Sequence, residues 1–172
     1  MDTLAELLED ELKDIYNAEN QLAKALPRLA KKATLPLLKQ AFTDHLTETE
    51  GQIKRLDEIS GLLGIKLKGK VCKAMQGLVE EGKEAIGEKG DPGVIDALLI
   101  GAAQRAEHYE IAAYGTVIAL AKQLREKEVA GLLTATLAEE KATDVKLTKI
   151  ALEILKTAPL EEEDDEDEDG DL

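Results

Sequence analysis

Residues 133–154 read LTATLAEEKATDVKLTKIALEI, and this stretch decides the fold class. Its apolar side chains recur at three- and four-residue spacing, which is the period of an α-helix with one buried face. Two acids, Glu140 and Asp144, interrupt that face where the period places core residues. The whole seam consists of Leu133, Leu137, Glu140, Asp144, Leu147, Ala151 and Ile154. The sequence therefore predicts a long helix that carries two carboxylates into the protein interior.

The same helical period recurs in three other long stretches, so the chain is predicted to be all-α. Composition agrees, because Ala, Leu, Glu and Lys favour helices and only 2% of the residues are aromatic. The predicted long helices cover residues 3–32, 35–63, 92–125 and 126–156, and a shorter amphipathic helix covers residues 71–86.

The lengths of the connections predict how these helices are arranged. The first and second long helices, and the third and fourth, are joined by tight turns, so each pair is expected to form an antiparallel hairpin. Residues 64–91 separate the second long helix from the third and contain the short helix. One long crossover is typical of ferritin-like bundles. The prediction is a ferritin-like antiparallel four-helix bundle in residues 1–158.

The net charge of -14 belongs mainly to the end of the chain, where Glu161 to Asp169 and Asp171 are all acidic. Without these acids, the body of the chain has a net charge of only -4. Residues 159–172 have no hydrophobic period, and their charges repel one another, so we expect a disordered acidic tail. It would act as a solubilising tail, or as an arm that collects cations or docks a basic partner. Nucleic-acid binding is disfavoured, because the sequence shows no basic face.

Other features concern the cellular compartment. The single cysteine, Cys72, excludes an internal disulfide, so nothing indicates an oxidising environment. The N-terminus is acidic and lacks the basic-then-apolar order of a signal peptide. No apolar run approaches the roughly 18 residues that a membrane span requires. We therefore expect a cytoplasmic protein without membrane association.

Acidic residues interrupt the apolar stripe near the middle of every long helix. A buried carboxylate without a partner is costly, so such groups usually become neutral or bind a metal. Antiparallel hairpins would bring all four to one level of the core, where facing glutamates commonly hold two divalent ions. The four residues are Glu19, Glu48, Glu110 and Glu140. The sequence thus predicts a dinuclear metal site.

Three further residues, Glu107, Asp144 and His45, are predicted to complete the metal shell. Each has an ordinary alternative: an inward acid often packs its stem and extends its head to water, and a lone core histidine is commonly hydrogen-bonded. Other polar side chains are expected to play supporting or surface roles. Gln52 would be a polar neighbour of the ligands, His108 would make a surface or helix-pair contact, and Tyr16 and Tyr109 would hydrogen-bond inner carboxylates or simply pack.

Four segments resemble the YciF-like branch of the ferritin-like superfamily, and the similarity covers about residues 2–157. They are LKDIYNAENQL at 12–22, HLTETEG at 45–51, EHYEIAAYG at 107–115 and TLAEEKATD at 136–144. The resemblance implies a ferritin-like four-helix bundle, usually a homodimer, with a dinuclear metal site and an association with stress responses. One departure is that the Glu-x-x-His pair common in ferritins and rubrerythrins is absent. His45-x-x-Glu48 has the reverse order, and such a nitrogen-poor site leaves the metal open.

Three functions fit these observations. The first is a carboxylate-bridged di-iron protein, an oxidoreductase that reacts with peroxide or oxygen. The second is a di-manganese enzyme that disproportionates peroxide on the same scaffold. The third is a non-enzymatic helical module whose role lies in assembly. Nucleotide hydrolysis and acyl transfer are poor fits, because the chain has no glycine-rich phosphate loop and no nucleophile–base signature.

Overall fold

Five α-helices make up the part of the protein that the computed structural model describes, residues 1–160. No strand occurs within these residues, so the all-α prediction is confirmed, and none of their helices is long and apolar enough to cross a membrane. The disordered acidic tail was predicted for residues 159–172, and from Glu161 onward it lies outside the described residues. The helices are α1 (Leu4–Lys32), α2 (Pro36–Leu63), α3 (Lys73–Gly87), α4 (Pro92–Gln123) and α5 (Lys127–Leu155).

Local sequence signals explain where several helices begin and end. Thr3 and Glu6 form a reciprocal capping box at the start of α1. Asp91 caps α4 by accepting hydrogen bonds from two backbone amides, with Pro92 as the first helical residue. Gly64 ends α2 in the left-handed region, at φ 65°, which glycine adopts without a steric penalty.

Two apolar clusters fill the core, one at each end of the bundle. One cluster contains residues from the C-terminal halves of α1 and α5 and from the N-terminal halves of α2 and α4. Its members include Leu26, Leu38, Leu99 and Ile150. The other joins the opposite ends of the same helices, with Leu12, Leu56, Val117 and Leu133. Helices α1 and α5 therefore run in one direction, and α2 and α4 run in the other. Because α2 and α4 are parallel, residues 64–91 return along the bundle, and α3 within them packs against α1 and α4.

Each long helix passes from one apolar cluster to the other through buried polar residues. These residues lie between the clusters and form what we call the polar layer. Its members are Glu19 on α1, His45 and Gln52 on α2, Glu107 and Glu110 on α4, and Glu140 on α5. The fold thus places the functional groups at mid-height, with apolar side chains above and below.

The buried face of α5 differs from the predicted seam at several positions. Its buried residues include Thr136, Glu140, Thr143 and Ile150, whereas Asp144 is only half-buried. The placement of Asp144 in a core slot was therefore wrong. A helical stripe can advance by three residues or by four, and at three steps of α5 the buried residue lies one position earlier than predicted.

Asp96 on α4 holds the two residues that precede α2. Leu35, which precedes α2, has no side chain that can cap the helix. The buried Asp96 carboxylate instead accepts hydrogen bonds from the backbone amides of Thr34 and Leu35 and from the Thr34 hydroxyl, each at 2.8 Å. One carboxylate therefore joins the α1–α2 turn to α4.

Replacing Asp96 by alanine is expected to lower the free energy of unfolding by about 3 kcal/mol, because the charge-assisted bonds are lost and two amides remain without partners. Urea unfolding monitored by circular dichroism measures this loss. Asp91→Ala is the matched control, since it removes an exposed cap of the same chemistry and should cost about 1 kcal/mol. Equal losses for the two variants would contradict this role for Asp96.

Candidate metal centre

Four side chains of the polar layer converge on one point in the core. One ligand-type atom from each of His45, Glu107, Glu110 and Glu140 lies within 4.8 Å of the other three. None of these residues is more than 2% exposed. Each had been named from the sequence as a candidate ligand. The geometry is that of a small buried cluster with three carboxylates and one imidazole.

Glu19 contributes a fourth fully buried carboxylate from α1. Its Oε1 accepts a hydrogen bond from the hydroxyl of Tyr114, which is also fully buried, whereas its Oε2 has no partner. Sequence reasoning did not single out Tyr114 as a partner for Glu19. The available signal was its position one turn after Glu110, since a tyrosine on a core face needs a hydrogen-bond acceptor.

His45 connects the inner carboxylates to the rim of the layer. Its Nε2 lies 2.8 Å from Glu107 Oε1, at an angle unsuited to a hydrogen bond, and its Nδ1 lies 3.7 Å from Glu48 Oε2. The Glu48 side chain is 43% exposed, and Thr143 donates a hydrogen bond to it at 3.1 Å. The prediction that Glu48 lies on the inner face was wrong, because the buried stripe of α2 steps from His45 to Thr49 and not to Glu48.

Asp144 lies outside the cluster and has other partners. It accepts a hydrogen bond from Gln104 at 2.8 Å and lies 3.3 Å from Nε2 of the exposed His108. His108 thus makes the helix-pair contact expected for it. Tyr109 donates its hydroxyl hydrogen to Asp14, not to a carboxylate of the layer. The structure therefore separates these edge residues from the buried group.

Several buried oxygen and nitrogen atoms of the polar layer have no hydrogen-bond partner among residues 1–160. They are Glu19 Oε2, His45 Nδ1 and Nε2, Gln52 Oε1, Glu107 Oε2, both oxygens of Glu110 and Glu140 Oε2. Burying such atoms without a partner is costly, and natural proteins seldom leave many of them in one place. Carboxylate oxygens with one imidazole nitrogen are a donor set suited to divalent cations such as iron and manganese. The residues present therefore fit a metal centre.

Burial and nearby negative charges raise the pKa values of three of these acids, Glu19, Glu110 and Glu140. Burial raises the pKa of Glu19 to about 7, although the Tyr114 hydrogen bond opposes this shift. Burial, followed by the charge of Glu107, raises the pKa of Glu140 to about 10. Burial and the charges of Glu19 and Glu140 raise the pKa of Glu110 well above its ordinary value. For His45, burial lowers the pKa, but the contact with Glu107 outweighs this and the net shift is upward.

Comparison with known proteins identifies the family. Residues 3–158 match the profile described as "Domain of unknown function (DUF892)". The chain belongs to the DUF892 family. It is 48% identical over 153 residues to Protein YciF of Escherichia coli (strain K12), a match that covers 88% of this chain and 92% of that protein.

Solved structures show which fold the DUF892 chain adopts. The crystal structure of the E. coli stress protein YciF matches with a TM-score of 0.89 and 46% identity, covering 92% of this chain and 100% of that one. YcfI of Rhodopseudomonas palustris matches with a TM-score of 0.83 and 46% identity, covering 86% and 94%. A ferritin-like, diiron-carboxylate protein of Bacillus anthracis str. Ames matches with a TM-score of 0.68 and 16% identity, covering 88% and 99%, and so shares the fold.

These matches confirm the YciF-like resemblance and the ferritin-like helical bundle predicted from the sequence. The strongest feature of this DUF892 chain is the set of buried acids whose pKa values are raised.

The metal-free DUF892 protein is expected to lose stability as pH rises from about 5 to 9. The folded-state pKa values of Glu19 and Glu140 lie above the ordinary value of 4.5, so the folded state retains protons that the unfolded chain has released. The stability from protonated Glu140 is full below pH 4.5 and is lost as pH rises toward 10. Urea unfolding at several pH values, in the presence of a chelator, measures this decline.

Glu140→Gln should make that decline shallower, because the amide does not titrate. The slope of unfolding free energy against pH should fall by the equivalent of roughly one proton per chain. Glu58→Gln, at an exposed position on the same bundle, is the control and should follow the wild type. A Glu140→Gln protein with the wild-type pH dependence would show that Glu140 is ionised throughout this range.

Proposed function

We propose that this protein binds two divalent metal ions in the polar layer and acts as a ferritin-like dinuclear metal protein. The observation that carries the proposal is the set of buried carboxylate oxygens without partners on Glu19, Glu107, Glu110 and Glu140. Four ionised carboxylates carry the charge that two divalent cations neutralise. A metal pair would therefore remove both the repulsion and the unsatisfied polar atoms.

The roles of the individual residues follow from which atoms remain free. Both carboxylate oxygens of Glu110 lack partners, so Glu110 has two oxygens free to bind metal ions. Glu19 and Glu140 each have one oxygen held by a hydrogen bond and one free. Glu107 on α4 and His45 on α2 face each other, with Glu107 Oε1 2.8 Å from His45 Nε2. These five residues form the proposed inner ligand set.

Glu48 and Asp144 belong to the edge of this proposed set. Glu48 Oε2 lies 3.7 Å from His45 Nδ1 at the edge of the layer, so its side chain would have to change conformation to join the ligand set. Asp144 would first have to leave Gln104 and His108. We therefore propose Glu48 as an accessory ligand and Asp144 as a residue that supports the α4–α5 contact.

Iron is the proposed metal, with manganese as the alternative, because both accept a site dominated by carboxylates with one imidazole. Two such ions held close together supply the electrons and the template needed to act on one O–O bond. The Bacillus anthracis protein with the same fold is described as diiron-carboxylate, which supports iron. The two apolar clusters, one on each side of the polar layer, keep the carboxylates away from bulk water.

We further propose that peroxide or oxygen is the reacting partner and that the protein serves in a stress response. The E. coli relative, 48% identical, is described as a stress protein, which supports this role. The homodimer implied by the family resemblance is likewise proposed for this chain.

Iron analysis of protein expressed in iron-rich medium is expected to give two ions per chain. Glu110→Ala and Glu140→Ala should each reduce the content to one ion or fewer, because each variant removes a buried ligand and leaves the others less balanced in charge. Glu48→Ala should have a smaller effect, since Glu48 lies at the rim. Asp144→Asn and the exposed Glu58→Gln are the controls and should retain wild-type content.

The site would be refuted if the wild type contained no metal, or if both Glu110→Ala and Glu140→Ala kept the full iron content. The bundle would then have a structural role. For iron-loaded protein, stopped-flow mixing with peroxide should produce a metal-centred absorbance change. If this change is absent, or if it persists at wild-type amplitude in Glu110→Ala, the redox function is wrong even where metal binding is right.

A further inference from the structure

One amide group joins two neighbouring acids of α5 across the α2–α5 contact. The side chain of Gln52 is fully buried, and its Nε2 donates hydrogen bonds to Glu140 Oε1 and, at 3.1 Å, to Glu139 Oε2. Glu140 belongs to the polar layer, whereas Glu139 lies at the edge with 31% of its side chain exposed. Gln52 is therefore the link between the buried site and a surface residue.

The outer end of this link is held by an arginine fork. Arg55, one turn after Gln52, donates to both oxygens of Glu139, at 2.9 and 2.6 Å, and also donates to Thr136 Oγ1 at 2.7 Å. A planar guanidinium that bonds a carboxylate through two parallel hydrogen bonds leaves it little freedom to rotate. Glu139 therefore presents a fixed acceptor to the Gln52 amide.

Two fixed acceptors determine the orientation of the Gln52 amide. Only the NH₂ end of an amide can donate, so Nε2 must face both carboxylates. Glu140 Oε1 is thereby occupied, and the buried Glu140 Oε2 remains without a partner. The network leaves Glu140 with one free oxygen in a defined direction.

We propose that Gln52 is a positioning residue for the metal centre, held in place by the Arg55–Glu139 ion pair, and that it sets which oxygen of Glu140 faces the ions. This inference rests on the proposed metal-binding function. Outer hydrogen bonds of this kind orient ligands, and their removal typically costs 10- to 100-fold in metal affinity. The competing explanation is that Gln52 and Arg55 only fasten α2 to α5.

The test compares two glutamines of α2 that each donate a hydrogen bond to a carboxylate. Gln52→Met removes the buried donor while keeping side-chain length. Gln40→Met removes an exposed donor to Asp44, a side chain that is 43% exposed and pairs with Lys146, and is the matched control. Chelator-stripped proteins are titrated with Co²⁺, and the visible absorption of the bound ion reports both affinity and ligand geometry.

We expect Gln52→Met to bind Co²⁺ roughly 10- to 100-fold more weakly than the wild type, with an altered absorption band. Gln40→Met should match the wild type in both respects. A mere fastening role would lower the urea midpoint of Gln52→Met but leave the affinity and the band unchanged, and that result would overturn the proposal. A wild-type protein that takes up no Co²⁺ would refute the proposed function and this inference together.

Arg55→Met tests the outer part of the network and does not depend on a buried substitution. It should weaken Co²⁺ binding in the same direction but by less, because Gln52 still donates to Glu140. If Arg55 acts through Gln52, the double variant should bind no more weakly than Gln52→Met alone. Additive losses would show that Arg55 acts independently and would overturn the proposed order of the network.

Discussion

The mutual repulsion of four carboxylates buried in one layer is the constraint on which the rest of the structure depends. Glu19, Glu107, Glu110 and Glu140 have almost no contact with solvent, and their environment offers few hydrogen-bond donors. Neutralising such a group by protonation alone requires the raised pKa values found for three of these acids. Divalent cations would satisfy the same need without keeping the acids protonated, and this is the basis of the proposed metal centre.

The surrounding architecture can be understood as the support for this layer. Two apolar clusters, one toward each end of the bundle, bury the hydrophobic side chains that stabilise the fold. The polar residues at mid-height do not make this contribution. Hydrogen bonds from Tyr114 and Gln52 then hold single oxygens of Glu19 and Glu140, so the acids are oriented as well as buried. Asp96 performs a related task outside the site, because it fixes the turn between α1 and α2 against α4. Asp96 is thus a buried carboxylate with a structural role.

The arrangement of donors also distinguishes this chain from the pattern common in ferritins and rubrerythrins. The only imidazole in the cluster comes from α2, where His45 precedes Glu48 and not the reverse. Helix α4 supplies two carboxylates, Glu107 and Glu110, one turn apart. The resulting site is rich in oxygen and poor in nitrogen, which favours ions that tolerate hard ligands. The family match establishes the bundle, whereas this donor set is the basis for the proposed chemistry.

The sequence by itself determined the helices, the hairpin pairs and the presence of acids on the core faces, because hydrophobic period and turn signals are local properties. It also identified the four clustered residues, His45, Glu107, Glu110 and Glu140. The tertiary structure alone decided which neighbouring candidates point inward. A stripe that advances by three or four residues leaves a choice at each turn, and packing against the facing helix moved Glu48 and Asp144 to the rim. The partnerships of Tyr114 with Glu19 and of Gln52 with Glu140 depend on the relative heights of separate helices, which no local pattern encodes.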